Sequence, residues 1–405
     1  MMNSKLIGGI LLVVGTTIGA GMLALPLATA ELGFLGSLVL LIVGWAVMTA
    51  STFVFLEVNL HMPKQSNIIS MAGVTLGKLG QAVAWVAYLV LLYSILSAYI
   101  AGGGDLFHYL ITKSGIPISL PVASVIFTIL FGCIVYFGIK AVDYVNRGLM
   151  FGKMGTFVLL VVLILPFISA SNLSTTQFSN FASPTSITVT TVSFAFLMIV
   201  PSLRNYFGDD VQSLKKAIFI GTLIPLVCYI FWDMVIMGII PLEGVLGLRE
   251  ISQSNSSNSD LVIALTSILQ KDSISIFAKF FTSICMATSF LSVSLSLSDF
   301  LADGFNVKKQ GLGNWLVYGL TFLPPIIFVL FFPGAFLMGL NYAGICCFIL
   351  MILLPALMAW RGREMYAALT NGNVQFRMAG GKLLLSVLII FSIAMTIFGL
   401  FSLIY

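Results

Sequence analysis

The sequence Gly15-Thr16-Thr17-Ile18-Gly19-Ala20-Gly21 lies at the centre of an apolar segment that runs from about residue 6 to residue 30. With a rise of about 1.5 Å per residue, a helix of that length crosses a bilayer. Its centre is poor helix material, since each glycine costs roughly 1 kcal/mol relative to alanine. Two interpretations stay open. The segment is either a broken helix that binds a carboxylate on exposed N–H groups, or a small-residue face for tight helix packing.

Composition assigns the chain to a class. Of its 405 residues 59% are hydrophobic and 8% are charged, whereas soluble domains carry about 25% charged residues. A water-soluble fold is therefore excluded, and continuous apolar runs of helical length exclude a β-barrel. We predict an all-α polytopic membrane protein forming one transmembrane domain over residues 1–405, with the lipid bilayer as its environment. The five cysteines lie in apolar runs without ligand-like spacing, so we expect no metal site and no cofactor.

Eleven transmembrane helices are predicted. They cover residues 5–30, 34–58, 79–110, 119–138, 147–170, 184–207, 214–240, 273–298, 313–332, 334–358 and 383–404. The connections are short except for 241–272, where we expect a short surface helix over 259–270. Four charged or titratable residues near span ends, Glu57, Asp105, His108 and Asp143, are predicted to be ordinary interfacial groups.

The distribution of lysine and arginine predicts the orientation. With the N-terminus in the cytoplasm, 15 of the 19 basic residues fall on or near the inner side. The other four are Lys113, Arg249, Lys271 and Lys279. The C-terminus is then periplasmic. Because this topology accounts for the net charge of +5, no nucleic-acid partner is needed.

The sixth span repeats the anomaly of the first. Pro201 lies well inside a segment that starts at Ser183-Pro184, and proline removes a helical hydrogen bond. Interrupted helices at positions one and six indicate two inverted halves of five spans, over about residues 5–170 and 184–358, with a binding site between them. The eleventh helix, 383–404, lies outside the repeat.

Several motifs resemble a known family. They are Lys5, Gly8-Gly9, the seven-residue stretch above, Leu25-Pro26, Ala28, Asn146-Arg147 with Lys153, Val200-Pro201-Ser202-Leu203 and Trp232-Asp233. Together they resemble the tyrosine- and tryptophan-specific permeases of the bacterial hydroxy/aromatic amino acid family, and the tyrosine-specific members most. The resemblance covers essentially the whole chain and implies a leucine-transporter (LeuT) type fold and proton-driven uptake across the inner membrane.

One departure concerns the sixth span. Better-known permeases of this family carry a His-Gly pair where this chain has Leu197-Met198. Whatever that histidine contributes to specificity or coupling does not transfer to this chain. Methionine gives a softer, more adaptable apolar wall.

A zwitterionic aromatic substrate needs donors for its carboxylate, acceptors for its ammonium and an apolar slot for its ring. For the carboxylate we nominate Thr17, Ile18, Gly19, Ala20 and Gly21. For the ammonium and the ring we nominate Ser193, Phe194, Ala195, Phe196 and Met198, with Tyr93 and Ser97 from the third span. Aromatic residues are 12% of the chain, so each ring alone is more often packing than pocket.

The eighth span carries a hydroxyl row: Ser289, Ser292 and Ser296, ending in Asp299. Spacings of three and four place these residues on one helical face. The row fits the wall of a cytoplasmic exit path with Ser289 at the substrate, or else serines bonded to their own helix. In sodium-driven relatives of the fold this span helps to build an ion site, so Ser292 and sodium stay open.

Two charged residues lie inside spans. An intramembrane ammonium or carboxylate costs a few kcal/mol and is a functional candidate by default. Lys153 in the fifth span is the first candidate for proton coupling, because burial favours its neutral form. The alternative is a lysine that snorkels to the cytoplasmic surface. Asp233 in the seventh span is a second candidate, in the outer half and away from Lys153.

No enzyme or pump motif is visible. The two histidines, His61 and His108, lie near span ends, and the sequence contains no His-Glu-x-x-His, Gly-x-Ser-x-Gly or Walker A pattern. The sequence predicts a secondary transporter, and the family resemblance implies that it imports an aromatic L-amino acid, tyrosine first, across a bacterial inner membrane by proton symport. A sodium-coupled symporter or exchanger of tryptophan or another neutral amino acid is the alternative. No obligate protein partner is evident.

Overall fold

The computed structural model describes residues 4–64, 66–174, 183–208, 210–332, 334–369 and 376–404, and over these ranges it contains helices and no strand. The α-helices are α1 (Ser4–Thr17), α2 (Ala20–Ala28), α3 (Gly33–Leu60), α4 (Ile68–Lys113), α5 (Leu120–Tyr136), α6 (Ile139–Ile164), α7 (Ala170–Ser174), α8 (Pro184–Ser193), α9 (Val200–Phe207), α10 (Val211–Ile239), α11 (Leu248–Gln253), α12 (Ser257–Leu269), α13 (Asp272–Gly304), α14 (Leu312–Phe331), α15 (Ala335–Cys347), α16 (Leu354–Leu369) and α17 (Gly381–Ile404).

The protein is a polytopic helical membrane protein. Within the described ranges nine helical segments are long and apolar enough to cross a bilayer, and the bent pair α1–α2 makes a tenth. Helix α5, the predicted fourth span, is apolar but only 17 residues long. The predicted tenth span continues through a π-helical stretch, Phe348–Leu353, into α16.

The first span is broken at the glycine-rich stretch. Helix α1 ends at Thr17 and α2 begins at Ala20, with a bend of 54° between them. Gly19 is extended, with φ −156° and ψ −151°. All nine residues of α2 are buried. The backbone freed by the break is therefore surrounded by protein, as an interrupted helix in lipid requires.

The sixth span is broken as well. Helix α8 ends at Ser193, a short 3₁₀-helix covers Phe196–Ile199, and α9 begins at Val200. Pro201 is in the first turn of α9, where its missing N–H costs nothing because no acceptor exists there. The proline thus marks the restart of the helix, a few residues after the break itself.

Three elements differ from the prediction. A helix does form in the connection 241–272, but it is not a surface helix, because α12 buries Leu261, Val262 and Leu265 in the main core. Helix α4 begins eleven residues before the predicted 79, with a kink at Gly77 (φ +75°). Helix α6 begins at Ile139 instead of 147, so Lys153 lies near the middle of its helix.

Two apolar clusters hold the helices together. The larger one joins α1, α2, α8, α10, α12 and α15 among others, and the smaller one joins α4, α5, α13 and α14. Both clusters contain residues of α4 and of α13. Helix α2 of the first broken span packs against α13, and α8 of the sixth packs against α15 and α3. These helices define the surroundings of the site.

Candidate functional site

The two breaks lie against each other. Helix α2 packs on α8, and α1 packs on the 3₁₀-helix Phe196–Ile199. Gly21 makes the close approach possible, because a Cβ on this residue would lie 3.1 Å from Oγ of Ser193. The stretches predicted to bind the two ends of a zwitterion are therefore neighbours.

Tyr229 of α10 connects the two breaks, and no sequence pattern predicted this role. Its hydroxyl lies 2.8 Å from the carbonyl oxygen of Thr17 and 2.9 Å from that of Ser193, and the side chain is fully buried. A phenol has one proton to donate, so the two carbonyls share it. Acceptor capacity is left over at the point where α1 and α8 end.

Lys153 reaches the first break from α6. Its Nζ donates a 2.6 Å hydrogen bond to the carbonyl oxygen of Ile18, and the residue is 2% exposed. The side chain of Cys285 in α13 lies close to the lysine ammonium. A snorkelling lysine would extend to the membrane surface, so the geometry contradicts that alternative. The lysine is directed into the protein.

The hydroxyl row of the eighth span meets the start of α2. The N–H of Ala20 donates a 2.9 Å hydrogen bond to Oγ of Ser289, and a Cβ on Gly19 would lie 2.5 Å from that oxygen. Ile18 donates its N–H to Val14. Of the predicted carboxylate donors, Gly19 and Gly21 keep N–H groups available for a ligand. They lie at the N-terminus of α2, where the helix backbone supplies no acceptor.

The predicted ring contacts surround the second break. Phe194 and Phe196 are buried, and the Phe194 ring packs 5.2 Å from that of Tyr229. Ala195 and Met198 are half-buried. The break therefore presents an aromatic and thioether wall beside the free carbonyl capacity.

Two predicted hydroxyls bond within their own helices. Oγ1 of Thr17 donates to Val13 at 2.7 Å, and Oγ of Ser193 donates to Val189 at 2.8 Å. The carbonyl of Phe194 accepts from the N–H of Phe196 at 2.8 Å.

The structure does not bring Tyr93 and Ser97 to the breaks. The Tyr93 hydroxyl donates to the carbonyl of Leu320 in α14 at 2.7 Å, and Ser97 donates back to Tyr93. Tyr99, on another face of the same helix, has its hydroxyl beside the side chain of Ser289. Which face of α4 turns inward depends on the rotation of the whole helix, and the sequence pattern did not specify it.

The rest of the hydroxyl row is exposed. Ser292 and Ser296 bond back to their own helix, and Ser292 also accepts from Nδ2 of Asn146 at 3.1 Å. Asp299 forms an ion pair with Lys309. Both predicted properties, back-bonding and an accessible polar face, are present together.

Asp233 lies in a separate buried polar group. One carboxyl oxygen accepts from Ser37 and, at 3.5 Å, from Thr29, while Oδ1 has no partner among the described residues. Over that same part of the chain, no group of three or more His, Cys, Asp or Glu side chains is placed to hold a metal ion. A groove of about 620 Å³ between α4 and α12 contains none of the predicted site residues.

Comparison with known proteins gives matches over nearly the whole chain. Residues 2–399 match the model of the tryptophan/tyrosine permease family. A tyrosine-specific transport system (2) of Haemophilus influenzae is 34% identical over 94% of this chain and 93% of its own. A tryptophan-specific transport protein of the same species is 32% identical, over 96% and 94%. A glutamine transporter (2) of Aliivibrio fischeri is 30% identical, over 98% and 99%.

Proposed function

We propose, since the chain belongs to the tryptophan/tyrosine permease family, that this transporter imports an aromatic amino acid, tyrosine first, by proton symport across the bacterial inner membrane. The family and its members are permeases, so the protein is not an enzyme. The observation that carries the coupling is the hydrogen bond from Lys153 to the carbonyl of Ile18.

That hydrogen bond connects a proton site to the substrate site. A charged donor makes a bond roughly twice as strong as a neutral one, so loss of the proton from Lys153 loosens the first break. Gly19, the next residue, is a proposed carboxylate donor. Binding of a carboxylate and protonation of the lysine thus favour each other, which is the thermodynamic condition for symport.

The substrate fits the chemistry of the two breaks. We assign its carboxylate to the N–H groups of Gly19 and Gly21. We assign its ammonium to the carbonyl oxygens of Thr17 and Ser193, which share the single proton of the Tyr229 hydroxyl. The ring then lies against Phe194, Phe196 and Met198. The tyrosine and tryptophan transporters among the relatives support an aromatic substrate.

We infer a LeuT-type fold of eleven spans, with α5 as the fourth and α17 outside the repeat. Helix contacts support two inverted halves, over about residues 5–170 and 184–358, because each contact has a counterpart when every helix is replaced by its equivalent in the other half. Helix α4 packs on α15 as α13 packs on α6, α1 packs on α10 as α8 packs on α3, and α4 packs on α5 as α13 packs on α14.

The proposed orientation keeps the N-terminus in the cytoplasm and the C-terminus in the periplasm, from the basic residues. The exposed Ser292 and Ser296 then lie on the cytoplasmic side of the breaks and line the exit path. Asp233 then lies in the outer half, as a second group in proton transfer. The alternative ion, sodium, would use the hydroxyls of Ser289 and Ser292.

The test is uptake of radiolabelled tyrosine into proteoliposomes, with pH and sodium gradients imposed separately. Unlabelled tryptophan, phenylalanine, leucine and glutamine serve as competitors. We expect uptake to follow the pH gradient without sodium and to be inhibited by the aromatic amino acids. Strict sodium dependence would overturn proton coupling, and inhibition by glutamine alone would overturn the aromatic substrate.

A further inference from the structure

The connection 241–272 contains a buried asparagine whose side-chain amide is unpaired within the part of the chain that the structure describes. Asn258, in the first turn of α12, is 1% exposed, yet neither Nδ2 nor Oδ1 has a hydrogen-bond partner among the described residues. A buried amide without partners is costly, and in native proteins such a group requires an explanation.

The backbone at this position is held firmly. The carboxylate of Asp105, itself 2% exposed, accepts from the N–H of Asn258 at 3.0 Å and from the N–H of Ser259 at 2.8 Å. The Ser259 hydroxyl donates to the same carboxylate at 2.5 Å. The asparagine is therefore fixed against α4, and its unpaired amide is not the result of a loosely placed segment.

Gly102 provides the space for the Asn258 amide; it lies one helical turn before Asp105 on α4. A Cβ on Gly102 would lie 2.7 Å from Nδ2 of Asn258 and 2.7 Å from Cε of Met286. Gly102 and Asp105 are three residues apart on α4 and thus share a face. One residue fixes the backbone of α12, and the other admits its side chain between α4 and α13.

The Asn258 amide lies close to the first break, where the substrate carboxylate is proposed to bind. Gly102 follows Tyr99 by three residues on α4, and Met286 precedes Ser289 by three residues on α13. The Tyr99 side chain lies beside that of Ser289, and Oγ of Ser289 accepts from the N–H of Ala20 at the first break. Three residues correspond to about 4.5 Å along a helix, so the amide lies roughly one turn beyond this level.

We propose that Asn258 is a specificity-determining residue that hydrogen-bonds the polar tip of the substrate ring. This rests on the proposed function, in which the breaks already bind the carboxylate and the ammonium. The remaining polar group of tyrosine is its hydroxyl, which donates and accepts, as the amide does. Indole can only donate, and a phenyl ring does neither. The expected order of affinity is tyrosine, tryptophan, phenylalanine.

The test compares Asn258→Leu with Asn255→Leu, a matched change at an exposed asparagine three residues earlier. In proteoliposomes, apparent affinities for tyrosine and phenylalanine are measured by competition. We expect Asn258→Leu to weaken tyrosine about tenfold or more and to leave phenylalanine unchanged, because only tyrosine loses a hydrogen-bond partner. Asn255→Leu keeps the wild-type ratio.

A second measurement separates recognition from folding. Because the amide has no hydrogen-bond partner among the described residues, Asn258→Leu should melt in detergent no lower than the wild type. An unchanged tyrosine-to-phenylalanine ratio would overturn the inference. So would an equal loss of both substrates with a lower melting temperature, which would indicate a structural role. If the wild type takes up leucine or glutamine but no aromatic amino acid, the proposed function fails, and this inference fails with it.

Discussion

The ammonium of Lys153 and the carbonyl oxygen of Ile18 are 2.6 Å apart, in the buried middle of the protein. Lys153 lies near the middle of α6, and Ile18 lies at the break between α1 and α2. The lysine thus contacts the break next to the proposed carboxylate donors, Gly19 and Gly21. In the proposed function, this hydrogen bond couples the protonation of Lys153 to substrate binding.

Lys153→Met is expected to abolish accumulation of tyrosine. The thioether has similar volume but no charge, so it removes the proton site and a charge-assisted hydrogen bond of about 1.5–3 kcal/mol. We predict at least a tenfold fall in pH-driven uptake. Lys140→Met, at an exposed position of the same helix, is the control. Wild-type accumulation by Lys153→Met would remove the lysine from the coupling mechanism.

Tyr229→Phe is expected to loosen both breaks at once. The change keeps the ring against Phe194 and removes the hydroxyl that Thr17 and Ser193 share. Loss of this buried donor should cost roughly 1–3 kcal/mol of stability and raise the KM for tyrosine. Tyr144→Phe, at an exposed ring, is the control. If melting temperature and KM stay at wild-type values, the carbonyls do not depend on this hydroxyl.

Gly19→Ala is expected to block transport, because the new Cβ would lie 2.5 Å from Oγ of Ser289. Adding Ser289→Ala should restore part of the stability, since the nearest atom is then Cβ at 3.7 Å. Gly155→Ala on α6, where no heavy atom lies within 4 Å, should be neutral or stabilising by about 0.5–1 kcal/mol. Melting temperature and initial uptake rate report both effects. Normal uptake by Gly19→Ala would contradict the close approach at this break.

Asp233→Asn is expected to separate exchange from accumulation. Asparagine can still accept from Ser37 and Thr29, so the fold should hold, but it cannot carry a proton. We predict that exchange of internal for external tyrosine persists while accumulation driven by a pH gradient falls at least tenfold. Equal retention of both activities would assign Asp233 a structural role.

The ion pair of Glu57 with Arg363 should dominate local stability near one end of α3. Its side chains are 4% and 9% exposed, and the Arg363 Nε donates to Glu57 at 2.7 Å. Glu57→Gln leaves the arginine underpaired and should cost about 3 kcal/mol. Glu364→Gln, in an exposed pair with Lys382, should change stability by less than about 0.5 kcal/mol. Similar losses in both variants would contradict the burial argument.

Local sequence signals predicted those features of the site that arise within a single helix. Glycine clustering and a mid-span proline indicated the breaks, because each weakens a helix wherever it occurs. Lys153 was recognisable because a charge inside an apolar run has few structural explanations. In both cases the physical cost is visible in the sequence.

Contacts between distant helices were not predictable in the same way. Tyr229 is one of many aromatic residues, and its role depends on carbonyls of α1 and α8. The choice between Tyr93 and Tyr99 depends on the rotation of α4. Glu57 and Asp105, predicted to be interfacial, are 3% and 2% exposed. Glu57 pairs with Arg363, and Asp105 accepts from the backbone of α12; both partners are distant in the sequence.

The most direct test of the central claim is whether tyrosine entry carries protons. Proteoliposomes with a trapped pH indicator and no imposed gradient would receive external tyrosine in sodium-free buffer, with the membrane potential clamped. Proton symport coupled through Lys153 predicts internal acidification with the wild type and Lys140→Met, and none with Lys153→Met. Tyrosine entry by the wild type without acidification, or entry only after sodium is added, would contradict it.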